Sequence, residues 1–130
     1  MIGSKKEIVG SWMKKAKNDL ISAEKLSKEP NIVLDTAIYH CQQAAEKALK
    51  GYMIHLDIEF PRTHDLRVLL NMVSVKDRDM FEFIEIAEYL TSLSVEFRYP
   101  DDEMEPTEDE FNEAYYNAKM VLDYILNNIN

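Results

Sequence analysis

Tyr39, Gln43, Glu46 and Lys50 recur at spacings of four, three and four, which on a helix gathers them into one polar stripe. Such a stripe can contact a phosphate or a partner chain. It can equally be a solvated face, on which Glu46 and Lys50 form a helical ion pair worth roughly 0.2–0.5 kcal/mol. His40 and Lys47 flank the stripe closely enough to join Gln43 in a contact surface. Arg98 is a second candidate. Ala87, Thr91, Ser94 and Arg98 fall in one line at helical spacing, so a guanidinium beside two hydroxyls could hold a phosphate through parallel hydrogen bonds. A cation near a helix C-terminus is also favoured by the dipole alone. His64, next to Asp65, either belongs to a local cap or acts as a general base, paired with Asp65 or with Arg98 across the fold.

Other chemistries find no residues. A di-metal centre in a helical bundle needs Glu-x-x-His pairs, but the residues three before His40, His55 and His64 are Ala37, Tyr52 and Pro61. There is no His-x-x-x-His pair and no cysteine cluster, so neither a metal nor another cofactor is expected. Gly3, Gly10 and Gly51 are isolated, which excludes a glycine-rich phosphate loop. His40 and Cys41 are neighbours and point about 100° apart on a helix, too divergent for a nucleophile and its base. Cys41 is expected to be a buried, inert thiol.

The elements that must hold these residues are helices. Ser4 and Glu7 have capping-box spacing and open a first helix to about residue 28, with Ile8, Trp12, Ala16, Leu20, Ala23 and Leu26 as its apolar face. Pro30 breaks it, and Asn31 is the expected N-cap of a second helix ending near Leu56. There Ala37, Ile38, Cys41, Ala45, Ala48, Leu49 and Tyr52 form the apolar side, opposite the stripe. Residues 63–66 open a short helix to about Val73. A fourth helix over about residues 78–97 carries the seam Phe83, Ile86, Leu90, Leu93 and Phe97. Thr107 and Glu110 form a second capping box. The last helix then lines up Phe111, Ala114, Ala118, Val121, Leu122, Ile125 and Ile129. Tyr116, Met120 and Tyr124 lie off that face, as a dimer contact or as extra core under another helix. The expected fold is all-α, an antiparallel up-and-down bundle of four long helices plus one short helix, in a single domain over residues 4–130.

With 46% apolar and 30% charged residues among 130, the composition is that of an ordinary globular domain. No apolar run reaches the roughly 18 residues of a membrane span, and the N-terminus lacks a signal-peptide core; a cytoplasmic protein without a membrane partner is expected. The net charge of −9 is unevenly spread. Residues 1–50 hold nine lysines against six acids, residues 51–130 six bases against eighteen acids, and eight acids crowd residues 101–113. This field opposes non-specific nucleic-acid binding, so RNA is disfavoured as a partner. The asymmetry is either a set of solvated faces or a basis for head-to-tail contacts.

Four groups of residues together resemble the HEPN domain, a family of small helical proteins named for nucleotide binding. They are Trp12 with Ala16, Asp19-Leu20 and Ala23; the stretch Cys41-Gln-Gln-Ala-Ala-Glu-Lys-Ala-Leu-Lys50; Thr63-His-Asp-Leu66; and Phe97-Arg-Tyr-Pro100 before an Ala-rich last helix. The resemblance implies a bundle that is commonly dimeric and often encoded beside a minimal nucleotidyltransferase, the two forming a toxin–antitoxin-like module. It also implies, for many members, a metal-independent ribonuclease using an Arg followed after four to six residues by a His. This chain departs from that pattern, because Arg98 is followed at those positions by Glu103, Met104 and Glu105, and no other arginine has the spacing. The expected function is therefore that of a non-catalytic binding module, with a nucleotide and a nucleotidyltransferase-like protein as candidate partners. A ribonuclease pairing Arg98 with His64 is the alternative, and a purely structural adaptor a third.

Overall fold

Capping decides where the terminal helices start. The Ser4 hydroxyl accepts from the Glu7 amide at 3.2 Å, and Thr107 does the same for Glu110 at 3.1 Å while the Glu110 carboxylate takes the Thr107 amide at 2.9 Å. The computed structural model describes residues 3–97 and 105–130. Among these the helices are α1 (Lys5–Leu26), α2 (Leu34–His55), α3 (Leu66–Ser74), α4 (Ile84–Glu96) and α5 (Glu108–Ile129), with no strand. They pack antiparallel, four long and one short, as the periodicity predicts.

The boundaries differ in two places. Asn31 does not cap α2; Val33 occupies the N-cap with no side-chain hydrogen bond, and the Asp35 carboxylate takes the Thr36 amide inside the first turn. The fourth segment is not one helix from Arg78. Residues Arg78–Phe83 form a 3₁₀ turn that buries Met80, and only from Ile84 does the α pattern begin.

Central in the bundle is α2, which packs on α1, α3, α4 and α5. Its contact with α1 is the most extensive in the fold, and both helices bury small residues, Ala16 and Ala23 on α1 and Ala37, Ala44, Ala45 and Ala48 on α2. Gly51 marks the tightest approach. A Cβ there would sit 2.5 Å from Met13 Cε and 2.8 Å from Trp12 Cβ, closer than packed atoms allow. On α1 the deepest positions are Val9, Met13, Ala16, Leu20 and Ala23, whereas Ile8, Trp12 and Leu26 of the expected face are half-buried. On α4, Ala87, Leu90 and Leu93 are buried, and Phe83, Ile86 and Phe97 pack at the margin.

The α5 stripe splits. Tyr124 is extra core, packed edge-on against Phe83 at 5.2 Å and donating its hydroxyl to Asp77, whereas Tyr116 and Met120 are exposed, at 70% and 46%. Cys41 is fully buried, and burial pushes its thiol up to about 12, which keeps it protonated and unreactive. No helix among the described residues is long and apolar enough to cross a membrane.

Candidate functional site

The C-terminal half of the polar stripe of α2 does not face solvent, although Tyr39 at its other end is exposed. Glu46 is only 4% exposed and the Lys50 side chain 11%, because the segment between α2 and α3 folds back over them. That segment leaves α2 through Asp57, whose φ of 59° lets the Ile58 amide donate to Met53 O at 2.8 Å and the Asp57 amide to Ile54 O at 3.1 Å, a Schellman closure of the helix end. Phe60 then lies edge-on to Trp12 at 5.9 Å and takes the Lys50 ammonium over its ring at 5.5 Å.

Glu46 anchors the polar network beneath this segment. Its carboxylate accepts from Lys50 Nζ at 3.0 Å and from His64 Nδ1 at 3.1 Å. Gln42, one turn earlier, donates its amide to His64 O at 2.9 Å, so His64 is held at both backbone and ring. Its side chain remains 78% exposed. A proton on Nδ1 directed to a buried carboxylate fixes the tautomer and leaves Nε2 as the outward basic atom. The start of α3 is built next to it. Thr63 Oγ1 accepts the Asp65 amide at 3.1 Å, and Asp65 caps α3 by taking the Arg67 amide at 3.0 Å. The Arg67 guanidinium then folds back on the same carboxylate, Nε at 3.1 Å and Nη2 at 2.9 Å; this cation holds the Asp65 carboxyl below its usual range.

These residues frame one side of a cleft of about 320 Å³, the lower end of the size range of small-molecule sites. Tyr39, Gln42 and Gln43 form its floor, His64, Asp65 and Arg67 one wall, and Thr91, Ser94 and Val95 of α4 the other. A smaller lobe of about 180 Å³ continues past Tyr39 and Ser94 to Asp35, Thr36 and Phe97. Thr91 Oγ1 is buried with no hydrogen-bond partner, although buried hydroxyls are normally satisfied. The cleft therefore offers amides, hydroxyls, an imidazole, a guanidinium and an aromatic ring to whatever enters it.

Of the expected site residues, Tyr39, Gln43 and His64 meet here, and Thr91 and Ser94 join them from the line drawn on α4. Glu46 and Lys50 lie behind His64 as its support. Lys47 is elsewhere: its ammonium binds the buried Asp19 carboxylate at 2.6 Å, which also takes His40 Nδ1 at 2.8 Å. That cluster ties α1 to α2 and does not line the cleft. Arg98, Glu103 and Met104 lie outside the described residues. Gln42, Arg67 and Asp19 are the site and support residues that spacing alone misses. Gln42 is passed over by the four-residue step of the stripe, and Arg67 and Asp19 owe their roles to residues distant along the chain. Among the described residues no group of three or more His, Cys, Asp or Glu is placed to hold a metal ion.

A family model for the HEPN domain matches residues 9–129. Among solved structures, that of an archaeal HEPN homologue superimposes with a TM-score of 0.73 at 24% identity, over 94% of this chain and 98% of the other. A protein of Thermus thermophilus superimposes at 0.71 and 24% identity, over 92% and 96% of the respective chains. At these identities what is shared is the fold. No curated protein matches the chain significantly.

Proposed function

The chain belongs to the HEPN domain family, and from that premise we propose that it is a non-catalytic, homodimeric binding module whose cleft takes a nucleotide. In this reading it pairs with a minimal nucleotidyltransferase-like protein in a two-component, toxin–antitoxin-like system. The observation that carries it is the cleft between α2, the start of α3 and α4. It presents Gln42, Gln43, Thr91 and Ser94 beside Tyr39 and Arg67, which is the mixture a base, a ribose and a phosphate require. The non-catalytic part rests on the sequence, in which no arginine is followed by histidine after four to six residues.

Calorimetric titration with AMP, ADP and ATP tests it. Saturable binding is expected, weakened roughly three- to tenfold by Gln43→Ala, the weight of one neutral hydrogen bond. Heats indistinguishable from dilution across all three nucleotides would leave a structural adaptor as the better account.

One observation favours a second reading, ribonuclease activity: His64 is oriented by Glu46 with Nε2 outward, the arrangement of a general base that could take a proton from a ribose 2′-hydroxyl. In that chemistry Arg98 would stabilise the phosphorane. Incubation of the protein with total RNA separates the two. Intact RNA supports the binding module, and cleavage that disappears in both His64→Ala and Arg98→Ala replaces it with the ribonuclease.

A further inference from the structure

A guanidinium lining the same polar cleft as a serine and a threonine is present in the described part of the fold, and it belongs to Arg67. Resting on the nucleotide reading of the cleft, we infer that Arg67 is the group that binds the ligand's phosphate, and that Asp65 holds it in reserve until a phosphate arrives.

Three observations lead there. The first is elimination among the cations near the cleft. Lys50 is committed to buried Glu46 and lies under the Phe60 ring, Lys47 is committed to buried Asp19, and the His64 ring is tied through Nδ1 to Glu46. Among the described residues, Arg67 alone combines a place on the cleft wall with a fixed charge.

The second is the kind of bond that restrains it. Asp65 and Arg67 are two residues apart, and their side chains are 29% and 53% exposed. Exposed pairs of this kind contribute little. A phosphate dianion offers the same paired oxygens with more charge, so exchange of one partner for the other costs little. In this structure the Nε/Nη2 edge of Arg67 is taken by the Asp65 carboxylate, and it is this edge that a phosphate would take in its place.

The third is the opposite wall. The buried, unpartnered Thr91 hydroxyl and Ser94 stand across the cleft. An oxygen-rich group between the walls would meet the Ser94 hydroxyl, whereas the Thr91 oxygen has almost no accessible surface and is out of its reach.

Asp65 also caps α3, so its removal could unfold the site rather than free Arg67. Asp65→Asn avoids this, because Asn caps as well as Asp does while losing the charge that competes for the guanidinium. The test compares AMP with adenosine by calorimetry, so that the ratio of the two affinities reads the phosphate contribution alone. For the native protein a preference for AMP of about tenfold or more is expected, as for a charge-assisted hydrogen bond. Arg67→Ala should bring that ratio close to one, and Asp65→Asn should raise it roughly threefold. If the native protein binds neither molecule, the cleft reading falls and this inference with it. If it binds both equally, or if Arg67→Ala keeps the preference, the cleft reading stands and Arg67 is not the phosphate group. A preference unchanged or lowered in Asp65→Asn removes the restraining role of Asp65.

Discussion

Asp77 receives two tyrosine hydroxyls, Tyr52 from α2 at 2.6 Å and Tyr124 from α5 at 2.8 Å. One carboxylate thus ties the turn before α4 to the two long helices beneath it. Burial first, and then the negative charge of Asp77, raise both phenols above the ordinary value of 10.0. Tyr89 on α4 is pushed up to about 12, again by burial and then by Glu113. Since these groups hold their protons more tightly in the folded chain, the stability they confer is complete below about pH 10. It falls as the pH rises above 10 towards 12 and beyond, where the unfolded chain ionises first. Thermal melts between pH 8 and 11.5 should show Tm declining above pH 10, and Tyr52→Phe should make that decline shallower. An equally steep decline in the variant would mean that Tyr52 ionises as freely folded as unfolded. Through the carboxylates the same residue scale organises the site. Buried Glu46 and Asp19 each hold one lysine and one histidine, and neither carboxylate is left unpaired.

Helix ends and core faces were largely legible from the sequence because their rules are local. A capping box needs four residues, and Ser4 and Thr107 open their helices where those residues stand. The small-residue face of α2 and the α5 face behave likewise, with only Ile129 half-exposed. The site was legible in part. His64 lies 18 residues from Glu46, and Lys47 lies 28 from Asp19, so no spacing rule brings them together. The stripe on α2 looks like a surface because a helix wheel does not show that the residues after Phe60 return across it. Gly51 is a further case: isolated in the sequence, it signals nothing, yet α1 passes directly over it. Gly51→Ala should lower stability by about 1–3 kcal/mol through overpacking, even though alanine is worth about 1 kcal/mol more than glycine in a helix interior. Urea denaturation measures the balance, and a stabilised variant would show that Trp12 and Met13 can move aside.

For the molecule as a whole, the exposed residues Tyr116 and Met120 of α5 are the surface on which the proposed homodimer rests. If that face pairs, Tyr116→Glu places charge in an apolar contact and light scattering should report half the native mass. An unchanged mass would move the dimer contact elsewhere or remove it. Inside the bundle, α2 is more enclosed than α5 and is exposed chiefly at Thr36 and Tyr39. One edge meets α1 at Gly51, another supports the cleft through Gln42, Gln43 and Glu46, and most of the remaining apolar side chains are core. A helix so enclosed has little room for neutral drift. A change suited to one neighbour is met by three others, and substitutions at its polar positions alter the ligand site as well as the fold. Divergence in such a protein is channelled to the outer faces of α1, α4 and α5, so new partners can be acquired there while the central helix and the cleft it floors stay as they are.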